Sequence, residues 1–233
     1  MTPEQLRRLY DAKYAEEYDA RFLESDLAKP DVQFEVATLK SFLKPRSRWL
    51  DVGCGTGYFL SLFSDVERAG LDVSPAMLKV AAARNNNAHF YCQSYLDPMP
   101  EWRDCWSLIS CMWYAYGYVS SMLEFRKLVD NLSLWTAPEG VCFMPLCDPR
   151  LLTGLPISYE VSGCPWPGRV VVTGITWTYI EEGGARHEDQ ITPMVPHILA
   201  LFGEHFEELE IVQYPSSSRT ALVACRKRVT KPA

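Results

Sequence analysis

A glycine-rich segment is the first part of this chain whose residue types suggest a chemical task. Residues 49–57 read Trp-Leu-Asp-Val-Gly-Cys-Gly-Thr-Gly and overlap a short apolar run at residues 48–52. Because glycine has no Cβ, it can adopt positive φ angles and lets the backbone approach a ligand closely. An apolar run that stops at a glycine cluster is typical of a buried strand turning into a helix. The segment therefore predicts a ligand-holding loop, and its residues of interest are Asp51, Gly53, Cys54, Gly55 and Gly57.

A second acidic residue stands where a nucleoside-binding fold needs one. Asp72 lies 21 residues after Asp51 and directly follows a predicted strand at residues 66–71. A carboxylate there can accept hydrogen bonds from both hydroxyls of a ribose, and doubly wound nucleoside binders carry an acid at about 20 residues' spacing. The two acids predict a nucleoside group at one edge of a sheet.

A dinucleotide site is the obvious rival, because it also uses a glycine-rich turn after a strand. Its G-x-G-x-x-G pattern would begin at Gly53 and Gly55 and require glycine or alanine at position 58. This chain has Tyr58 there and places its third glycine at Gly57. The fingerprint is therefore a different one.

Residues 49–57 resemble the first motif of class I S-adenosylmethionine-dependent methyltransferases. The likeness extends to Ser-Pro-Ala-Met-Leu at residues 74–78, which resembles that family's helix after the acid, and it covers roughly residues 48–146 plus the closing strands. It implies S-adenosyl-L-methionine as cofactor, S-adenosyl-L-homocysteine as product, and methyl transfer as the reaction. The structural alternative is a tight turn and a helix cap in an unrelated α/β protein.

The elements around the motif alternate between strands and helices, which predicts a single doubly wound α/β domain, and the resemblance implies that it is of Rossmann-like methyltransferase type. We expect a mostly parallel seven-stranded sheet with strands at residues 48–52, 66–71, 88–92, 106–111, 141–146, 209–214 and 221–226. Helices are predicted at residues 3–22, 32–43, 75–84, 121–135 and 196–206.

Two regions fall outside this alternation. Residues 1–45 are predicted to form an N-terminal helical cap, and residues 147–205 an inserted lid that binds the acceptor. Within the insertion, residues 170–180 alternate branched and polar side chains, Glu-Gly-Gly follows at 182–184, and residues 186–191 can return. That pattern predicts a β-hairpin.

Position and resemblance together predict the cofactor-binding residues, and at one place this chain departs from the family pattern. Gln93, Ser94 and Tyr95 occupy a place where the family often carries an acid for the adenine amine. Tyr10, Tyr14 and Tyr18 form a helical stripe that either packs in the core or reaches the cofactor. The predicted set is Tyr14, Tyr18, Asp51, Gly53, Cys54, Gly55, Gly57, Asp72, Val73, Met77, Gln93, Ser94, Tyr95 and Cys111.

Aromatic residues after the fourth strand predict the acceptor pocket, because ligands of open α/β sheets bind at the carboxyl edge. They are Trp113, Tyr114, Tyr116 and Tyr118, of which two are expected to be ordinary core, and His197 is a further candidate. His187 and Asp189 lie two apart on a predicted strand and hence on one face. His187 is the candidate catalytic base with Asp189 beside it; the alternative is a solvated hairpin. A hairpin with histidine after the fifth strand also resembles amino-sugar N-methyltransferases.

Composition limits the kinds of partner and the location that we expect for this protein. The net charge is −6, without a basic block, so no nucleic acid is expected. No run of about 18 apolar residues occurs, so we expect no membrane association. The first residues are polar and lack the basic start of a secretory signal, so we expect a cytoplasmic protein. Eight cysteines include no Cys-x-x-Cys pair, and no metal site is predicted. A homodimer stays open.

The sequence therefore predicts an enzyme that transfers a methyl group to N or O of a small metabolite by in-line displacement. Two alternatives remain. One is a methyltransferase acting on a protein or RNA, and the other is a non-catalytic cofactor-binding subunit that supports a partner.

Overall fold

The strands and helices follow the alternation of the sequence. The computed structural model describes residues 1–150, 158–161, 168–171, 174–181 and 184–226. In chain order the strands are β1 Arg48–Val52, β2 Glu67–Asp72, β3 His89–Cys92, β4 Trp106–Ser110, β5 Thr136–Leu146, β6 Ser158–Val161, β7 Gly168–Val171, β8 Gly174–Ile180, β9 Arg186–Pro193, β10 Glu208–Gln213 and β11 Thr220–Cys225. The α-helices are α1 Pro3–Leu9, α2 Ala12–Tyr18, α3 Lys29–Phe42, α4 Tyr58–Ser61, α5 Pro75–Arg84, α6 Met122–Trp135 and α7 Val195–Phe202.

A seven-stranded sheet has the order β10-β11-β5-β4-β1-β2-β3. The pairs β1–β2, β1–β4, β2–β3 and β4–β5 are parallel, whereas β11 runs antiparallel to both β5 and β10. The predicted doubly wound, mostly parallel fold is confirmed. The strand order reverses between β1 and β4, and ligands of open α/β sheets bind at the carboxyl ends on either side of such a reversal.

Both faces of the sheet are buried under helices. On one face Leu50 packs in a cluster with Phe125, Leu128 and Leu132 of α6, and all four are fully buried. On the other face Trp49 packs in a second cluster with α3. Burial on both faces explains why apolar residues stand side by side in these strands, Trp49-Leu50 in β1 and Leu108-Ile109 in β4, instead of alternating with polar ones. The loops at their carboxyl ends are thereby held on a rigid base.

The predicted helix over residues 3–22 is wrong as one element. It ends at Leu9, and Asp11 starts a new helix by accepting a hydrogen bond from the Tyr14 backbone N–H at 2.9 Å. Aspartate favours this N-cap position because its side chain competes with the helical backbone. A π-helical turn, Asp19–Leu23, then follows α2.

The inserted region differs in part from its prediction. β8 and β9 form the expected antiparallel hairpin, but the strand predicted over residues 170–180 is two elements, β7 and β8. β7 pairs with β6, a pairing the sequence pattern did not indicate. Residues 182–183 of the predicted turn, and Cys164, lie outside the described part of the chain.

His187 and Asp189 do not share a face, so that prediction is wrong. Tyr179 is opposite His187 and Trp177 is opposite Gln190, with a register shift between them. Two residues of β9 therefore face one of β8, which is a β-bulge, and Asp189 has a φ of 51°. His187 is 6% exposed, whereas Asp189 is exposed to solvent.

Within the described ranges, none of the helices combines the length and the apolar character needed to cross a bilayer.

Candidate functional site

The glycine loop after β1 is tied to the end of β2. The backbone N–H groups of Gly53 and Cys54 both donate to the Leu71 carbonyl, at 2.7 and 3.1 Å. Gly53 has a φ of 70°, and a Cβ there would lie 2.4 Å from the Ala115 Cβ. Both observations require glycine at position 53, because L-residues rarely adopt this backbone conformation and no space exists for a side chain.

Asp72 lies at the carboxyl end of β2 beside this loop. One carboxylate oxygen accepts from the Gly55 N–H at 2.9 Å, and the other accepts from the Ser74 N–H at 2.8 Å. Burial raises the pKa of Asp72, and these N–H bonds oppose the shift. Each carboxylate oxygen carries a second lone pair that can accept from a ligand.

Asp51 is the next-to-last residue of the neighbouring strand β1 and is almost fully buried, at 1% exposure. It accepts a hydrogen bond from the Ser110 hydroxyl at 2.6 Å, and Ser110 in turn accepts from the Trp49 indole at 2.8 Å. Burial raises the pKa of Asp51 to about 7. These hydrogen bonds fix the junction of β1 and β4, where the strand order reverses.

A first cavity of about 250 Å³ opens at this junction. Among the predicted cofactor-binding residues, it is lined by Tyr18, Asp51, Gly53, Cys54, Gly55, Asp72, Val73, Met77, Gln93, Ser94 and Tyr95. Three others are elsewhere. Tyr14 lines a second cavity, Cys111 is fully buried in the core, and a Cβ at Gly57 would lie 2.8 Å from the Asn85 amide and 3.0 Å from the Ala81 Cβ, so that glycine serves helix packing.

The second cavity, of about 340 Å³, adjoins the first. Four residues line both: Tyr10, Tyr18, Trp113 and Tyr118. The remaining wall is mainly aromatic and includes Tyr14, Phe22, Tyr114, Trp177, Tyr179 and His187. The structure therefore brings the N-terminal helices, the loop after β4 and the hairpin β8–β9 together around one space.

Two predicted acceptor residues lie outside this wall. Tyr116 is fully buried in the core, where its hydroxyl accepts from the Cys147 N–H at 3.0 Å. His197 lies near the start of α7 and lines neither cavity. In contrast Trp113, Tyr114, Tyr118 and His187 do line the second cavity.

A buried ion-pair cluster anchors one wall. The Trp113 indole donates to Glu35 at 2.9 Å, and the Tyr214 hydroxyl donates to the same carboxylate at 2.7 Å. The Arg219 guanidinium lies 5.0 Å from both aromatic ring centroids. Burial raises the pKa of Glu35, whereas the charge of Arg219 and these hydrogen bonds lower it. Trp113 is thus held in one position.

A chain of hydrogen bonds runs along the opposite wall. The Tyr10 and Tyr118 hydroxyls are 2.5 Å apart, and the Tyr118 hydroxyl is 2.7 Å from His187 Nδ1. His187 Nε2 lies 2.6 Å from Glu181, which also receives hydrogen bonds from Tyr14 and Arg21. Burial favours the neutral carboxyl, but these bonds and the Arg21 charge hold the pKa of Glu181 below its usual range.

Three residues of the site, Glu181, Arg21 and Arg219, were not among those predicted from the sequence. Glu181 is the carboxylate that contacts His187, in place of Asp189. The available signal was its position just before the hairpin turn, which allows contact with a residue just after that turn. Arg21 reaches Glu181 across 160 positions of sequence, and no local pattern indicates such a contact.

Comparison with known proteins gives one family. Residues 50–140 match the family described as "Methyltransferase domain". A dTDP-4-amino-2,3,4,6-tetradeoxy-D-glucose N,N-dimethyltransferase of Saccharopolyspora spinosa is 27% identical over 108 residues, which is 46% of this chain and 43% of that protein. A carboxy-S-adenosyl-L-methionine synthase of Helicobacter pylori (strain Shi470) is 28% identical over 109 residues, 43% of this chain and 45% of that protein. The chain spans between about a third and just under half of the length of the curated relatives it matches.

Solved structures share the fold over nearly the whole chain. S-adenosylmethionine-bound CalS10, an amino pentose methyltransferase from Micromonospora echinaspora, has a TM-score of 0.65 and 21% identity, covering 92% of this chain and 97% of that one. DesVI of Streptomyces venezuelae has a TM-score of 0.64 and 21% identity, covering 91% of this chain and 98% of that one. At this identity the likeness establishes the fold.

Proposed function

We propose that this chain, which belongs to the class I S-adenosylmethionine-dependent methyltransferases, transfers a methyl group from S-adenosylmethionine to an amino nitrogen of a small metabolite. The observation that carries the proposal is the pair of adjoining cavities, of which one is bordered by the glycine loop and Asp72 and the other by aromatic side chains. The four residues common to both mark the place where methyl donor and acceptor would meet.

The first cavity fits the adenosyl group by the chemistry of its walls. The backbone can pass close to Ala115 at position 53 only because Gly53 has no side chain; a Cβ there would lie 2.4 Å from the Ala115 Cβ. Asp72 retains acceptor capacity for the two ribose hydroxyls, while Gln93 and Ser94 supply polar groups for the base. When bound, S-adenosylmethionine supplies an activated methyl group on a positively charged sulfur.

The second cavity favours a nitrogen acceptor. Tyrosine and tryptophan faces attract cations, so a wall of such rings stabilises an ammonium group more than it stabilises a neutral hydroxyl. Arg219 also lines this cavity, but its charge is paired with Asp31 and Glu35. The names of two similar proteins point the same way, since one is an amino pentose methyltransferase and the other an amino-sugar N,N-dimethyltransferase. An amino sugar is therefore the acceptor class we propose.

Catalysis would rest chiefly on positioning. The walls of the two cavities would hold the nitrogen lone pair in line with the methyl carbon, and the nitrogen–carbon bond would form as the carbon–sulfur bond breaks. Orienting two reactants in this way can supply roughly 7–11 kcal/mol of the barrier reduction. His187 would serve as the proton acceptor of the second cavity.

The helical cap at residues 1–45 and the lid at residues 147–205 would close these cavities. Met1, Thr2, Pro3 and Leu6 contribute to the wall of the first cavity, and Trp177 and His187 of the hairpin to that of the second. These contacts support the division of labour inferred from the sequence.

Calorimetric titration tests the cofactor assignment. Asp72→Ala should weaken S-adenosylmethionine and S-adenosylhomocysteine binding by about 10- to 150-fold, because hydrogen bonds to a charged group contribute roughly 1.5–3 kcal/mol. Asp65→Ala, at an exposed aspartate before β2, is the matched control and should bind like the unaltered chain. Equal affinity of the Asp72 variant would overturn the ribose contact.

Mass spectrometry tests the acceptor. The probes are dTDP-4-amino-2,3,4,6-tetradeoxy-D-glucose and the same sugar nucleotide with a hydroxyl in place of the amine. Methylation of the amine alone is expected. Methylation of the hydroxyl compound alone, or of neither, would refute the proposed acceptor chemistry.

A further inference from the structure

We propose that Tyr118, His187 and Glu181 form a proton relay in which the Tyr118 hydroxyl removes the proton from the acceptor ammonium and passes its own proton to His187. This inference rests on the proposed amine methylation. Tyr118 would be the catalytic group that touches the acceptor. His187 would store the proton, and Glu181 would be a positioning residue that acts through His187.

The order of the relay follows from which atoms remain free. Both ring nitrogens of His187 are engaged within the protein, Nδ1 by Tyr118 at 2.7 Å and Nε2 by Glu181 at 2.6 Å. His187 therefore cannot bind the acceptor nitrogen directly without giving up one of these bonds. Tyr118 lines both cavities and is half-buried, so its hydroxyl lies where donor and acceptor would meet.

The histidine tautomer follows from its carboxylate partner. An ionised carboxylate only accepts hydrogen bonds, so the Nε2 atom that faces Glu181 must carry a hydrogen. In neutral His187 the Nδ1 atom is then bare and accepts from the Tyr118 hydroxyl. Because the Tyr118 hydrogen is directed at Nδ1, the Tyr10 hydroxyl donates to the Tyr118 oxygen, and the second lone pair of that oxygen is left for the acceptor.

Glu181 is built to stabilise the charged form of His187. Its side chain is 3% exposed, and its two oxygens are engaged by Tyr14, Arg21 and His187. A fixed carboxylate beside an imidazole holds the ring orientation and stabilises the imidazolium that forms when it takes a proton. The arrangement at Glu181 has this geometry.

The phenols of the relay conduct a proton without ionising. Burial raises the pKa of Tyr118, and it does the same for Tyr10 and Tyr14. Imidazole is the side chain that gains a proton near neutral pH. The groups that face His187 from the surrounding elements are Tyr10, Tyr14, Tyr118, Tyr179 and Glu181, with Arg21 behind Glu181.

The proton balance is simple. The acceptor arrives as an ammonium; its N–H bond breaks as a bond to the Tyr118 oxygen forms, and the Tyr118 O–H bond breaks as the Nδ1–H bond of His187 forms. The freed nitrogen lone pair then forms the bond to the methyl carbon, and the electrons of the carbon–sulfur bond go to sulfur. The product leaves as a methylated ammonium, and His187 returns its proton to solvent.

The pH dependence of kcat tests the relay with the amino-sugar nucleotide as acceptor. Tyr118→Phe and Glu181→Gln should lower kcat at pH 7 by about 10²-fold or more, the usual range for lost acid–base catalysis. The deficit should shrink to within about threefold near pH 10, because alkyl ammonium groups lose their proton to solvent at about that pH. The Kd for S-adenosylmethionine should stay unchanged.

Tyr91→Phe is the matched control, since Tyr91 of β3 packs against Trp102 and lines neither cavity. It should keep the original kcat at every pH. An unchanged kcat in Tyr118→Phe, or a deficit that is the same at pH 7 and pH 10, would overturn the relay.

A spectroscopic test needs no acceptor. Nitrogen-15 spectra of the full chain should show His187 as the Nε2–H tautomer, with an Nδ1 signal that changes in Tyr118→Phe; an Nδ1–H tautomer would overturn the relay. If the unaltered chain shows the Nε2–H tautomer but methylates neither sugar nucleotide, the failure lies with the proposed function.

Discussion

Replacing Gly53 with alanine tests the geometry of the glycine loop after β1. The new methyl group would lie 2.4 Å from the Ala115 Cβ, and the residue would keep a φ of 70°. The left-handed backbone costs an L-residue about 1–2 kcal/mol, and overpacking by one methyl group costs roughly 1–3 kcal/mol. Gly53→Ala should therefore lower the free energy of unfolding by about 2–5 kcal/mol.

The two contributions can be separated because the chain offers a matched pair of sites. Gly55 has a φ of 52°, but a Cβ there would meet no atom within 4 Å. Gly55→Ala should therefore show the backbone cost alone, about 1–2 kcal/mol. Urea unfolding of the free chain, followed by fluorescence and circular dichroism, measures both variants under conditions without cofactor.

A second substitution tests the contact itself. Ala115→Gly removes the methyl group that the new Cβ of Gly53→Ala would strike, and the next atom, the Ala115 Cα, is at an ordinary 3.8 Å. The double variant should recover roughly 1–3 kcal/mol relative to the sum of the single variants. Additivity within about 0.5 kcal/mol would refute the close approach of these two loops.

Three further predictions concern buried charges and the bulge. Burial raises the pKa of Asp51 to about 7, so between about pH 4 and pH 7 the native state binds more protons than the unfolded chain. The free energy of unfolding should therefore fall as pH rises through that window. Urea titrations at several pH values should show that Asp51→Asn removes this dependence. Glu35→Ala should cost about 2–6 kcal/mol, because it removes the acceptor of both the Trp113 indole N–H and the Tyr214 hydroxyl and each lost partner costs roughly 1–3 kcal/mol; an unfolding free energy within about 1 kcal/mol of the original would contradict this. Asp189→Asn, on the solvent side of the bulge, should change stability by less than about 0.5 kcal/mol and leave turnover unaltered, in contrast to Glu181→Gln; a loss of turnover would restore Asp189 as the histidine partner.

Features set by neighbouring residues were predictable. Ser74 and Ser121 cap α5 and α6 by accepting hydrogen bonds from backbone N–H groups three residues ahead, at 3.2 and 3.1 Å, as N-cap serines do. The seven strands of the large sheet and their order along the chain followed from apolar runs between turns. These signals are local, and the tertiary structure did not override them.

Features set by distant contacts were not predictable. The pair Tyr14 and Glu181 is separated by 167 positions, and Tyr118 and His187 by 69. Periodicity indicates which side of an element is apolar, but it contains no information about the element packed against it. The bulge in β9 adds to this, because one extra residue moves Asp189 to the opposite face from His187.

The sequence alone determined the glycine loop and the acid beside it, because Gly53, Gly55 and Gly57 directly after β1 constrain the local backbone and the neighbouring apolar run ends at Asp72. The tertiary structure alone decided which side chains line the second cavity. Tyr10, Tyr118 and His187 come from three separate segments, and their hydroxyl and imidazole groups meet only when the N-terminal helices and the hairpin pack over the sheet edge. Local chemistry specifies a loop, whereas a site formed between elements depends on how those elements pack.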